Sequence, residues 1–334
     1  MVTLKDIATA ANVSMITVSR VVNTPDKVKP ATRKKIEKIM DELQYIPNSA
    51  AKNLVSKRAG VIDVYIPVNI DLSNPFVMHF ISGISETLSK QMYSFLIRRN
   101  LENEHICDGY IVTGLLKNEI NDFYKHAHKY NRPVVLFGHT PIPEVDCIDV
   151  DNTVGAKMAT EYLIGMGHKK LAMINVDEDK DYTVDRLTGF QQAIKEHHLP
   201  LENMTVISTP NNVDGGYQAA KKLLHQRNFT GIFCATDTMA LGVSNAIMEE
   251  GLKIPKDISI VGFDGLGHHL LNTPRLTTIQ QPIFKIGSML AQTLINKLNG
   301  EKRRTTELVE PQLIFEESVA RRDSMRTDSH LNKK

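Results

Sequence analysis

The chain has 334 residues, 42% hydrophobic and 23% charged, values ordinary for a globular protein and enough for two or three separate cores. No run of about 18 apolar residues occurs, so no membrane span is expected. MVTLKDIATA lacks the basic-then-apolar order of a secretory leader, and only three scattered cysteines, Cys107, Cys147 and Cys234, are present; both features point to a reducing cytoplasm and away from a disulfide or zinc framework. The net charge of +2 hides an asymmetry: residues 1–60 hold 11 Lys and Arg against 5 Asp and Glu, and the remainder 29 against 33. A basic head on a mildly acidic body suits contact with a polyanion.

Leu4, Ile7, Ala8 and Ala11 recur at helical spacing, with Thr3 and Asp6 placed for a capping box and Asn12 for a left-handed turn. A second helix follows at once. Ser14 caps it, Val13 is placed to staple onto Val18, and Val18, Val21 and Val22 form its inward face. Met15, Ile16, Ser19, Arg20 and Asn23 then point elsewhere, which is wasteful unless that face touches something. A third helix opens at Pro30, where a missing N–H costs nothing, and is expected to bury Ile36, Ile39, Met40 and Leu43. Two helices across a tight turn, the second with an exposed mixed face, describe a helix-turn-helix reader of DNA.

TLKDIATAANVSMITVSRVVN, with VKPATRKKI and ELQYIPNSAAKNL after it, resembles the head of the LacI/GalR (lac repressor) family of bacterial transcriptional regulators. The resemblance implies that Met15 and Ile16 read bases at the start of the recognition helix. It places Arg20 on guanine O6 and N7. It sets Thr17, Ser19, Asn23 and Lys27 on phosphates, contacts that position without reading sequence. YIPNSAAKNLVSK would be the family's hinge helix, ordered on DNA. There Leu54 wedges between base steps in the minor groove, and Ala51 lets the two hinges of a dimer approach.

From residue 58 the pattern changes to short β-rich runs, among them VIDVYIPV, DGYIVTG, KLAMINV and ISIVGFD, alternating with amphipathic helices. Such alternation predicts parallel sheets covered by helices, and more than eight strands favour two lobes. The fold class expected is thus an all-α helix-turn-helix head plus an α/β core of two doubly wound parallel-sheet lobes, similar to periplasmic binding proteins. The expected domains are the head at 1–47, the hinge at 48–57, the core at 58–323 and a disordered tail at 324–334. Within the core, the N-lobe is assigned 58–154 plus 283–304 and the C-lobe 155–282 plus 305–323.

SNPF, DRLTGF, CATDTMALG, IVGFDG and LTTIQQP resemble the effector core of the same family. The resemblance implies Phe76, Arg186, Thr236, Asp237 and Asp264 as effector contacts, a guanidinium and a carboxylate being suited to one polyol. Asp237 serves equally as a plain helix cap, and Phe76 as core packing. The His pairs 197–198 and 268–269 and the His126–His128 run match no zinc spacing and are expected on the surface. No dinucleotide glycine fingerprint and no nucleophile–base pair is readable, so neither cofactor, metal nor catalysis is expected.

Two departures stand out. Only NLENEHIC separates Arg99 from Asp108, where relatives carry a full helix and a parallel crossover normally needs about a dozen residues. Either that helix is lost or the strand pairs differently. VNIDLSNPF also carries one residue more than the family pattern. The reading is a homodimeric repressor on a pseudo-palindromic DNA operator, controlled by a sugar or sugar phosphate between the lobes. NVSMITVSRVVN also resembles catabolite control proteins, whose corepressor is a phosphocarrier protein. A sugar-binding protein without a regulatory role is the alternative from another class.

Overall fold

The structure is a computed structural model describing residues 2–23, 27–45, 58–102, 105–200, 202, 204–226 and 229–322. The chain divides into two compact units, Met1–Gly60 and Val61–Lys334.

The first unit holds α1 (Leu4–Ala11), α2 (Met15–Asn23) and α3 (Pro30–Glu42). Each boundary has a local cause. The Thr3 N–H donates to Asp6 Oδ2 at 2.8 Å and the Asp6 N–H to Thr3 Oγ1 at 3.4 Å, a reciprocal cap. Asn12 ends α1 at φ 53°, which an asparagine tolerates better than most residues. The Ser14 hydroxyl accepts the Thr17 N–H at 3.2 Å. Pro30 occupies the first turn of α3. Ile7, Ala8, Ala11, Val18, Val21 and Ile36 form a small core. A fully buried isoleucine contributes about 1.5–3 kcal/mol, so few side chains hold this unit together. Two expectations shift. Val22 is half-buried and stands outside that cluster, and Leu43 is exposed at the end of α3, because the helix turns it past the edge of so small a core.

The second unit carries two six-stranded sheets. In chain order its elements are β1 (Val61–Tyr65), α4 (Pro75–Lys90), β2 (Ser94–Arg98), β3 (Gly109–Val112), α5 (Lys117–Lys129), β4 (Val134–Phe137), β5 (Asp146–Val150) and α6 (Asn152–Gly165). They continue with β6 (Leu171–Val176), α7 (Asp181–Glu196), β7 (Met204–Thr209), α8 (Val213–Gln226), β8 (Gly231–Cys234), α9 (Asp237–Glu249), β9 (Ser259–Asp264), β10 (Thr277–Gln280), α10 (Ile283–Leu298), β11 (Thr306–Val309) and β12 (Gln312–Ile314). The N-lobe sheet runs β11-β5-β4-β3-β1-β2 and the C-lobe sheet β12-β10-β9-β8-β6-β7. Every pairing is parallel except β10 with β12. The central strands are buried throughout because helices cover both faces.

The lobes exchange chain three times, and the last exchange differs from expectation. Thr306–Val309 pairs in register with Cys147–Val150 and so belongs to the N-lobe sheet; the crossing falls at Glu310–Pro311, not at residue 305. Four residues with only Val309 buried leave no hydrophobic pattern to assign them by. Close helix contact holds each lobe. A Cβ on Gly83 in α4 would sit 2.0 Å from the Phe284 carbonyl oxygen in α10, so only glycine allows the approach.

The shortened crossover keeps its pairing and loses its helix. β2 and β3 both lie parallel to β1, and the described residues between β2 and β3 contain no helix. Asp63 on β1 is buried beneath this gap, with His105 Nε2 at 2.9 Å from Oδ1 and Arg98 at 3.6 Å from Oδ2. Polar side chains from the loop and from the end of β2 thus meet Asp63 where the described part of the crossover has no helix.

The hinge residues, with Ala51 and Leu54, and the tail from residue 323 lie outside the described residues.

Candidate functional site

In the head, Met15 and Ile16 are 51% and 65% exposed, although both begin an otherwise well-packed helix. Arg20 and Lys27 are exposed, Ser19 is half-buried, and Asn23 ends α2. Thr17 is half-buried, its hydroxyl 2.9 Å from that of Ser14. Two large apolar side chains beside an exposed arginine make a face able to meet thymine methyls and a guanine edge together.

In the second unit, a cavity of about 340 Å³ lies between the lobes at the carboxyl ends of their strands. The arrangement follows from topology: each parallel strand delivers the residue after it to the same rim. Phe76, Arg186, Thr236 and Asp264 line this one cavity. Phe76 enters from the first turn of α4, fixed by the Asn74 side chain accepting its N–H at 2.9 Å and by rings of Phe80 and Phe137.

Arg186, 4% exposed, sits on α7. Nε donates to Asn152 Oδ1 at 2.9 Å and a terminal nitrogen to the Ala235 carbonyl, while Phe263 and Tyr182 lie 3.7 and 4.7 Å from its guanidinium carbon. Burial pulls this guanidinium below its ordinary value, and the Asp264 carboxylate opposes the shift. Such clamping leaves the planar group pre-oriented for hydroxyls.

Asp264 closes β9 at φ 137°, a conformation strained for any residue with a Cβ. Gln281 Nε2 donates to its Oδ1 at 2.7 Å and the Asp237 N–H to its Oδ2 at 3.3 Å. Burial pushes its carboxyl up and Arg186 draws it back.

The first two residues of CATDTMALG's TDT segment separate in role. Thr236 caps α9, accepting the Met239 N–H at 3.3 Å and donating to Asn211 Oδ1 at 2.8 Å. Asp237, expected either at the effector or as the cap, is neither. It is fully buried and does not line the cavity. Its Oδ1 accepts the Thr278 hydroxyl at 2.6 Å and its Oδ2 the Gly265 N–H at 2.8 Å. A Cβ on Gly262 would meet Oδ1 at 2.3 Å, so the carboxylate fills the space a side chain there would need. Asp237 thus fixes the turn that presents Asp264.

Sequence reasoning missed several lining residues: Asp71, His139, Asp149, Asn152, Asn211 and Gln281. Most of them stand just past a strand, so the strand-end rule, applied to every strand, would have found them. Another surface expectation also changes: His269 is buried, its ring accepting the Gly267 N–H at 3.3 Å and lying 3.9 Å from Asp237 Oδ2. The turn folds it back over Asp237, which periodicity cannot foresee.

Two family descriptions match the chain: "Bacterial regulatory proteins, lacI family" over residues 3–48 and "Periplasmic binding protein-like domain" over 160–319. The uncharacterised helix-turn-helix regulator YvdE of Bacillus subtilis is 35% identical, covering 96% of this chain and all of the relative. The solved complex of the regulator CelR with cellobiose superposes with a TM-score of 0.71 at 26% identity, covering 95% of this chain and all of that one. The lac repressor dimer bound to operator and the anti-inducer ONPF gives 0.72 at 25% identity, covering 96% and 99%. The chain therefore belongs to the LacI family of bacterial regulatory proteins and is a DNA-binding transcriptional regulator, not an enzyme.

Proposed function

We propose that the protein is a homodimeric cytoplasmic repressor of carbohydrate-utilisation genes, bound to a pseudo-palindromic operator and controlled by a sugar in the cavity between the lobes. The observation that carries this reading is the cavity itself, which the donors and acceptors of Arg186 and Asp264 line together with the ring of Phe76. Paired polar groups together with an aromatic ring suit the hydroxylated and apolar faces of a sugar ring. CelR with cellobiose and the lac repressor with operator and ONPF are consistent with both halves of it. In the head, Met15, Ile16 and Arg20 read bases, and Thr17, Ser19, Asn23 and Lys27 hold phosphates, with Ala51 and Leu54 in the hinge.

The lining also sorts the two effector classes left open by sequence. Among the described lining residues, Asp71, Asp149, Glu178, Asp181 and Asp264 face the cavity, with Lys180 and Arg186 as the permanent cations. Lys180 lies 2.6 Å from Glu178 and is spent on it. A dianionic phosphate would meet uncompensated carboxylates, so an uncharged sugar is favoured over a sugar phosphate. A built cavity also favours a small effector over a phosphocarrier protein acting from outside.

The test is a thermal-shift screen of the full chain against neutral sugars and sugar phosphates, followed by gel shift on the operator with each hit. A ligand bound to the native state raises the melting temperature. Shifts from phosphorylated sugars alone would overturn the neutral-sugar reading. Hits that leave operator binding unchanged would overturn the regulatory one.

A further inference from the structure

Three side chains of the cleft form a constellation of metal-ligating types. His139 follows β4, Asp149 lies in β5 and Asp185 on α7, so two come from the N-lobe and one from the C-lobe. One imidazole nitrogen and one oxygen from each carboxylate all lie within 4.8 Å of one another. His139 Nε2 stands 3.0 Å from Asp185 Oδ2.

Asp149 is the anomalous member. It is only 4% exposed and lines the cavity, yet among the described residues its one hydrogen-bond donor is the Val150 N–H, 2.8 Å from Oδ1. A buried carboxylate normally gathers several donors or a paired cation. Here one carboxylate oxygen instead lies within 4.8 Å of the ligand atoms of His139 and Asp185. A carboxylate also stands behind the imidazole. His139 Nδ1 lies 3.6 Å from Asp181 Oδ2, just beyond hydrogen-bond distance, so a slight rotation of the ring would give the carboxylate–histidine–metal arrangement that fixes the tautomer. The sequence conceals all this, because the three residues come from three segments with no motif spacing.

We propose that His139, Asp149 and Asp185 form a divalent transition-metal site that bridges the two lobes. A neutral imidazole and two carboxylates neutralise a dication, and this mixed nitrogen–oxygen set suits Zn²⁺, Co²⁺ or Mn²⁺. Ligand bonds of about 2.0–2.2 Å require the three atoms to draw in slightly from their present separations, which a small movement of α7 toward β5 supplies. Because the ligands come from both lobes, the ion favours the arrangement in which the lobes are together. It would therefore bias the same equilibrium that an effector uses. The inference does not depend on the effector being a sugar.

The experiment uses the full chain, stripped with chelator and titrated with Co²⁺ alone, read by visible absorption and equilibrium dialysis. One Co²⁺ per chain is expected, with a ligand-field band and a raised melting temperature. His139→Gln and Asp149→Asn should each weaken binding by about tenfold or more. Asp185→Asn, at a partly exposed position, gives the same test with little risk to the fold. An absence of saturable binding up to millimolar Co²⁺ would overturn the proposal. So would binding unchanged in all three variants, which would place the ion elsewhere on the chain.

Discussion

The Lys117 N–H donates to the Asp179 carbonyl at 3.2 Å, and the Lys117 ammonium lies 3.5 Å from Asp181 Oδ1. The start of α5 in the N-lobe is thereby tied to the start of α7 in the C-lobe, at the rim of the cavity. Lys117 is 38% exposed, so the ion pair contributes little to overall stability. It acts instead on the balance between closed and open lobes. Lys117→Ala should leave the melting temperature of the free protein almost unchanged and weaken the effector by about two- to fivefold. Calorimetric titration checks this; unchanged affinity would mean that the backbone contact alone holds the rim.

Arg186→Lys should be far more damaging than its conservation of charge implies. The ammonium cannot donate to Asn152 and Ala235 together, nor fill the slot between Tyr182 and Phe263. Charge-assisted bonds contribute about 1.5–3 kcal/mol each, so a loss of stability of that order is expected in denaturant unfolding. The effector-induced thermal shift should vanish. A lysine variant that still responds to effector would remove Arg186 from the binding role.

On the head, Arg20 and Lys27 are both exposed, yet their substitutions should differ in kind. Arg20→Ala should lose about 1–3 kcal/mol of preference for operator over random DNA. Lys27→Ala should weaken both equally and lower the salt slope by roughly one. Competition gel shifts at several salt concentrations separate the two. Retained preference in Arg20→Ala would assign the reading face elsewhere.

How far the sequence discloses this architecture depends on the range of the forces involved. The caps at Thr3, Asn12, Ser14 and Pro30 are local, so α1 to α3 are readable from residue type alone. Alternating apolar runs likewise disclose parallel sheets. β11 is not readable, because its membership is decided by register with Cys147–Val150 some 160 residues earlier. The roles of Thr236 and Asp237 separate for a similar reason. Adjacent in sequence, one faces the cavity and the other is buried, and the difference is set by Thr278 and Gly265 on later strands and turns. Motif resemblance brings both to the site but cannot say which touches a ligand.

The buried pair Asp237 and Asp264 gives the protein a pH dependence with a definite sign. Burial pushes the Asp237 carboxyl up, and the neighbouring Asp264 charge adds to the rise; Asp264 is itself raised by burial. In the unfolded chain both return to the ordinary carboxylate value of about 3.9. Between that value and the raised one, the folded state holds more protons than the unfolded state. Stability therefore falls as pH climbs through this window, and the full cost persists above it. Asp237→Asn removes one of the two titrations. The amide keeps the shape: its oxygen accepts the Gly265 N–H, and its nitrogen donates to the Thr278 hydroxyl oxygen. Asp264 is then relieved of a like charge and ionises more readily beside Arg186. The variant should be no more stable than wild type at about pH 5, where the wild-type pair is largely protonated, and should gain on it steadily toward about pH 8. Urea unfolding of both proteins at several pH values in that range is the measurement. Stability profiles that run parallel would show that Asp237 does not titrate between its folded and unfolded states, and that the turn carrying Asp264 is held by hydrogen bonding alone.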